Sequence, residues 1–263
     1  MFSIRYVLAF LILHQVPSFG YEYCSYQKEL CKGGEHIVCK EPHEDAIDRD
    51  PIVPAITTKM RKAILNQHNY YRNKVACGEV FDENDQQFPT AAKMPVLTWD
   101  FELEYVARRM TEDCIAGENY CTNTFRFRNS GYNQGVVDLA VKNQGEMKPG
   151  YHLEEYSQRS SFLLMVSDQA EQVGCSLSYC KQDNLWSTHI VCNYSKNLVL
   201  GQPVYKAGEP ASECKKISKE FPCLCGKTQT IFHILILIKI KTLQKEKRNL
   251  LRISRRYLKT RDI

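Results

Sequence analysis

Long apolar runs are scarce in this chain of 263 residues. The two that exist, residues 7–13 and 231–238, are each far below the roughly 20 residues that cross a bilayer, and His233 interrupts the second. No transmembrane segment is expected from either. Also missing are an internal repeat, a Gly-x-Ser-x-Gly nucleophile setting and an Arg-Gly-Asp motif, so the usual serine-hydrolase elbow is excluded. Cysteine is absent before Cys24 and then occurs twelve times. Cys223-Leu224-Cys225 is spaced by a single residue, and no Cys-x-x-Cys pair exists to close a tetrahedral zinc site. A strong basic field is lacking too. Residues 226–263 carry eleven Lys or Arg against two acidic residues, so the overall net charge of +5 leaves −4 for residues 1–225. That body has no electrostatic footprint for nucleic acid.

The twelve cysteines follow a leader-like segment. Arg5 supplies a positive start, Val7 to Leu13 an apolar stretch, and Ser18-Phe19-Gly20 a small-residue end. Residues 1–20 therefore read as a secretory signal. An even cysteine count behind such a signal implies an oxidised, extracellular framework.

Residues 21–55 are Cys- and turn-rich and read as a small stapled lobe. Met60, Ile64, Leu65, His68, Tyr71 and Val75 recur at helical spacing, with Thr57 or Thr58 as the cap and Gly78 as the stop. After a polar loop, Leu97-Thr98-Trp99 reads as extended. Asp100 caps a second helix with Leu103, Val106, Ala107, Met110 and Cys114 on its inner stripe. Val173, Cys175, Leu177 and Tyr179 alternate as a strand, residues 181–184 turn, and Leu185 to Tyr194 return. Helices early and a hairpin late predict an α+β or a layered α/β/α domain. Val136, Val137, Leu139, Ala140 and Val141 read as the remnant of a core helix. The basic tail, 226–263, shares neither cysteines nor composition with the rest. It reads as a disordered appendage or an artefact of the gene model, with binding to a membrane surface as the competing reading.

Six pieces in order resemble one family. They are His68-Asn69-Tyr70-Tyr71-Arg72, Leu97-x-Trp99-Asp100, Gly131-Tyr132-Asn133, Val173-Gly174-Cys175, Val191-Cys192-Asn193-Tyr194 and Pro203-Val204-Tyr205 with Cys214. Together with Cys24, Cys31 and Cys39 they resemble the CAP superfamily (cysteine-rich secretory, antigen 5 and pathogenesis-related proteins), in its antigen 5 venom-allergen branch. The likeness covers roughly residues 21–225. It implies a three-layer α-β-α sandwich over 56–203, an N-terminal extension over 21–55 and a cysteine-containing C-terminal extension over 204–225. It also implies the bridges Cys24–Cys39, Cys31–Cys121, Cys175–Cys192 and Cys214–Cys225. Cys77, Cys114, Cys180 and Cys223 stay unassigned, with Cys77 as a candidate partner for Cys114.

CAP proteins carry two His and two Glu around a cleft that can hold zinc. Transferred position by position, the first His falls on Glu118, the first Glu on Tyr132 and the second His on Ser161. The second Glu has no secure counterpart, because only 27 residues separate Asn133 from Ser161 and none is Trp. Glu154 or Glu155 is the nearest candidate. No imidazole remains at a ligand position, so neither a metal nor another cofactor is expected. His68 reads as a hydrogen-bonded structural residue, and His36, His43 and His152 as surface residues. Asn193-Tyr194-Ser195 is a formal glycosylation sequon at a strand end, a poor acceptor. Asp100, Glu102 and Glu104 read as helix-start acids rather than catalysts. The expectation is a secreted, monomeric, non-enzymatic binding module of venom, saliva or reproductive secretion, with an extracellular protein or a small lipid as partner. A lipid carrier using the CAP cleft and a metal-dependent hydrolase are the alternatives.

Overall fold

The computed structural model describes residues 19–42, 46, 49–82, 84–114, 120–138, 161–182 and 185–227. Residues 1–18 of the signal segment, Glu118, Leu139, Ala140, Val141, His43, His152, Glu154, Glu155 and the basic tail beyond residue 227 lie outside the described residues. Helix α1 spans Phe19–Leu30, α2 Thr58–Ala76 and α3 Phe101–Thr111. Strand β1 spans Thr98–Trp99, β2 Gly131–Asp138, β3 Gln172–Gln182 and β4 Leu185–Tyr194. They form one sheet in the order β1-β3-β4-β2, with β1 parallel to β3 and the other pairs antiparallel.

Local chemistry sets the helix ends. Thr57 caps α2 by accepting from Met60 N–H at 3.2 Å, and Gly78 ends it at φ +76°. Asp100 caps α3, accepting from the Glu102 and Leu103 N–H groups at 3.0 and 3.1 Å. Two strand readings need correction. Lys181 and Gln182 belong to β3 rather than to the turn, because they pair with Trp186 and Leu185. Val136 and Val137 are strand rather than helix, because β2 runs on to Asp138 along Ser187–His189 of β4.

Period-two alternation divides the sheet into two faces. Gly174, Ser176, Val191 and Asn193 face α3. A Cβ on Gly174 would lie 2.1 Å from Glu104 N and 2.5 Å from Asp100 O, so only glycine lets the helix sit this low. The Thr111 and Ser176 hydroxyls are hydrogen-bonded at 3.1 Å, and Asn193 Nδ2 donates to Leu103 O at 3.3 Å. Val106, Ala107, Met110, Val191 and Ile37 fill the layer. Asn193 is wholly buried, which keeps the sequon from a glycosyltransferase in the folded protein.

On the other face Leu97, Leu164, Ala170, Val173, Cys175, Cys192 and Tyr194 form the core, with Ile64 and Leu65 of α2 against it. The arrangement is helix, sheet, helix, the expected three-layer class. The inner face of α2 differs from its reading in one respect: Tyr71 is 42% exposed, whereas Asn69 and Arg72 are buried. Asn69 clamps Leu97, accepting from its N–H at 2.8 Å and donating to its carbonyl at 3.1 Å. The Arg72 guanidinium donates to the carbonyls of Pro95, Met165, Ser167 and Ala170. Burial pushes it down to about 10. A buried cation held by four carbonyls fixes the loops that follow α2.

All twelve cysteines are paired. The bridges are Cys24–Cys39, Cys31–Cys121, Cys77–Cys223, Cys114–Cys180, Cys175–Cys192 and Cys214–Cys225. Cys77 is not the partner of Cys114. The C-terminus of α2 lies against the returning chain at Cys223, while the end of α3 meets the far end of β3 at Cys180. Residues outside the central unit also enter the core. Leu224 is fully buried, and Cys225 N donates to Met94 O at 2.8 Å. Near the other terminus, Ile52 and Tyr179 exchange backbone hydrogen bonds at 2.9 Å along the edge of β3.

Candidate binding cleft

The α2 side of the sheet holds a polar chain at its inner end. His68 Nδ1 lies 2.8 Å from Ile64 O, four residues back in α2. A carbonyl only accepts, so Nδ1 carries the hydrogen. Burial lowers the imidazole's pKa and keeps it neutral, leaving Nε2 as an acceptor. Tyr194 therefore donates its hydroxyl hydrogen to Nε2, across 2.9 Å. The same hydroxyl oxygen accepts from Asn133 Nδ2 at 3.1 Å, and that amide also donates to Ser161 O at 2.7 Å. Burial raises the Tyr194 phenol, so it stays protonated. The chain from Ile64 through His68, Tyr194 and Asn133 to Ser161 uses both imidazole nitrogens. It provides neither a free general base nor an activated nucleophile.

Outward from this chain the same face becomes apolar and half-open. Leu177 pairs with Ile190, Tyr179 with Thr188 and Lys181 with Trp186. Leu177, Trp186 and Ile190 are half-buried, and Tyr179 is 37% exposed. Gly135 of β2 lies opposite Ile190. The result is an apolar shelf ending in a wall of hydrogen-bonded polar groups.

Tyr132 and Ser161 do not converge. Alternation along β2 sends Asn133 to the chain just described and Tyr132 to the opposite face. There Tyr132 packs against the layer of Ile37, Val106 and Met110, and its hydroxyl accepts from Tyr120 N–H at 3.2 Å. A phenol on one face and a serine on the other do not fit a zinc site of the family type. His68, Cys175 and Cys192 do lie close enough for their ligand atoms to fall within 4.8 Å of one another. Both sulfurs are oxidised in one bridge, however, and both His68 nitrogens are engaged, so this group does not fit a metal either.

His36 is a second correction. It is fully buried rather than on the surface. Its ring stacks on Tyr23 with centroids 4.6 Å apart, Nδ1 accepts from Val38 N–H at 3.1 Å, and Nε2–H donates to Asn123 O at 2.7 Å. The acids of α3 likewise do more than complement a dipole. Glu102 accepts from Tyr23 at 2.5 Å and from Arg126 at 2.7 Å, while Arg126 also reaches Asp100. Glu104 takes two bonds from Arg61 and one from the Trp99 indole, each 2.6 Å. None of these carboxylates stands free for acid–base chemistry. The sequence reading missed Tyr194 and Asn133 as members of the site. Their only signal was parity: both sit one residue from strand positions that face α3.

Comparison with known proteins agrees with this architecture. The model of the CAP: Cysteine-rich secretory protein family matches residues 65–194. Venom allergen-1 of Aedes aegypti is 29% identical over 217 residues, covering 73% of this chain and 82% of that protein. Tabinhibitin 1 of Tabanus yao is 28% identical over 251 residues, covering 86% and 95%. Antigen 5 like allergen Cul n 1 of Culicoides nubeculosus is 29% identical over 201 residues, covering 65% and 90%. Among solved structures, BmVAL-1 superposes with a TM-score of 0.51 at 22% identity, over 66% of this chain and 96% of that one, a likeness of fold. No described helix is long and apolar enough to cross a membrane.

Proposed function

The chain belongs to the CAP superfamily, in its antigen 5 branch, and from that premise we propose that it is a secreted, non-enzymatic binding module acting in a venom, saliva or reproductive secretion. The observation that carries this reading is the closed hydrogen-bond chain from His68 through Tyr194 and Asn133 to Ser161. A hydrolytic site needs one group poised to take or give a proton. Here His68 and Tyr194, the titratable members of the chain, are both neutral and both hydrogen-bonded. Glu118, Tyr132 and Ser161, at the family's ligand positions, complete the reading: two of the three are alcohol or phenol.

The half-open shelf favours a second reading within the same class, a carrier of a small apolar ligand. Leu177, Trp186 and Ile190 provide the apolar surface and the Asn133–Tyr194 pair a polar end, the usual division of labour in ligand sites.

The test is to secrete the protein from insect cells, record its native mass, and assay it against peptide and ester substrates with and without added zinc. The binding-module reading expects no turnover and an intact mass lighter by twelve protons for six bridges. Turnover that vanishes in Glu118→Ala or His68→Ala would overturn it in favour of a hydrolase. A co-purifying lipid lost in Ile190→Asp would select the carrier reading.

A further inference from the structure

At the opposite end of the strands from the shelf, four segments enclose a second, open cleft of about 680 Å3. They are the turn after α1 at Cys31 and Lys32, residues 120–123, residues 128–130 and residues 197–200. The walls are tied together. The Cys31–Cys121 bridge joins two of them. Asn123 donates to Leu30 O at 2.7 Å and accepts from Ser130 N–H at 3.0 Å. Asn197 N–H donates to Asn129 O at 2.7 Å. Asn197 also lies so close to Gly131 that a Cβ there would sit 2.6 Å from its Oδ1. The cleft is thus formed before any ligand arrives, which lowers the ordering cost of binding.

Its charge is one-sided. Lys32 and Arg128 line it, and Lys196 lines a smaller pocket of about 170 Å3 on the other side of Asn197, Leu198 and Val199. Among the described residues, no Asp or Glu lines either space. Among the described residues none of these three cations has a carboxylate partner. This gathers positive potential on a body whose first 225 residues are net negative. On the rim stand Val199, 49% exposed, and Leu200, 99% exposed. Arg128 lies over the Phe125 ring, 5.6 Å from its centroid, and the guanidinium edge stays free of any carboxylate among the described residues. Two adjacent aliphatic side chains offered to water beside cations without a carboxylate partner mark an interaction surface more than a solvated loop.

We propose that this cleft docks an acidic, aliphatic peptide loop of an extracellular protein partner. A carboxylate of that loop sits between Lys32 and Arg128, where charge-assisted hydrogen bonds are strong. The exposed amides of Asn129 and Asn197 meet its backbone. Val199 and Leu200 cover its aliphatic neighbour and exclude water around the ion pair. An acyl chain suits the cleft less well, because a lipid needs apolar walls enclosing most of its surface, and this space is open with amides on its sides. The surface is independent of the shelf, so the proposal stands or falls apart from the function read there.

The experiment uses the secreted, fully oxidised protein as bait for a display library of short constrained peptides, with selected peptides titrated by fluorescence anisotropy. Enriched loops are expected to pair Asp or Glu with a neighbouring Leu, Ile, Val or Phe. Lys32→Glu with Arg128→Glu should weaken them at least tenfold, and Leu200→Ser severalfold, with the thermal midpoint unchanged because all three side chains are exposed. Replacing the peptide's acid by Lys should restore binding to the charge-reversed variant. Enrichment of loops without an acid, no enrichment over the charge-reversed bait, or affinities indifferent to Arg128→Glu would each overturn the proposal. So would saturable binding of oleate that Arg128→Glu abolishes while no peptide is selected, which would assign the cleft to an anionic lipid.

Discussion

Gly174 and Gly135 occupy the same sheet and meet opposite surroundings. On the α3 side, the backbone of the helix's first turn lies directly over Gly174, and the bridge Cys114–Cys180 pins the helix end to β3. On the α2 side, among the described residues a Cβ on Gly135 would meet only Ile190 Cγ2 at 3.6 Å, an ordinary contact. There the helix is anchored at one end by Asn69 and Arg72, and the far end of the sheet stays half-open. The α3 face is closed along its length, whereas the α2 face carries a buried core at one end and keeps apolar surface available at the other. Surface left half-open in a stapled secreted domain is where binding is economical, since the scaffold is already rigid.

Substitutions can break this contrast. Gly174→Ala should have the largest effect, about 4 kcal/mol or more, because the clash is with backbone atoms that cannot rotate away. The measurement is secreted yield, with the variant retained in the cell. Gly135→Ala should secrete normally and melt within about 0.5 kcal/mol of the parent. Equal behaviour of the two variants would mean that the faces are not packed differently. Next, Cys114→Ser with Cys180→Ser should cost about 2–5 kcal/mol in chemical denaturation, the usual loss for a native bridge in a secreted domain. Tyr194→Phe, on the half-open face, should cost about 1–3 kcal/mol by leaving His68 Nε2 and the Asn133 amide short of a partner. A neutral Tyr194→Phe would mean that the polar chain contributes nothing to the shelf's inner wall.

The unequal finish of the two faces also explains what the sequence revealed. Elements carried by local signals were legible: the Thr57 and Asp100 caps, the Gly78 stop, the α3 stripe and the return strand Leu185–Tyr194 follow from side chains within a turn of one another. Contacts between distant segments were not. Nothing near Arg72 announces that carbonyls of Pro95, Met165, Ser167 and Ala170 will surround it, so a cation at a core position was passed over for Tyr71. His36 looks like a surface residue until Tyr23 and Asn123 are brought to it. The pairing of Cys77 with Cys223 spans 146 residues, and no spacing rule reaches that far. At the cleft, residue types were readable but faces were not. Tyr132 and Asn133 are neighbours in sequence and lie on opposite sides of the sheet, so Tyr132 and Ser161, the two described members of the carried-over set, do not come together.

The smallest expected effect concerns acid, and it bears on both faces at once. His36 serves the α3 side and His68 the α2 side, and burial lowers the pKa of each from the ordinary value near 6.5. Each is built in as a neutral ring: His36 Nδ1 accepts from Val38 N–H, and His68 Nε2 accepts from the Tyr194 hydroxyl. In the unfolded chain both rings take up protons as the pH falls below about 6.5, whereas the folded protein resists until a lower pH. The unfolded state then binds more protons, so the stability present above that pH is lost as the pH falls from there towards the folded values. Thermal melts between pH 7.5 and pH 5 should show a falling midpoint, and His36→Gln and His68→Gln should each remove part of the slope. If His68→Gln flattens it and His36→Gln does not, acid loosens the shelf first and would release a ligand held there. The reverse result would make the α3 side and its N-terminal lobe the acid-sensitive part, with the shelf unaffected.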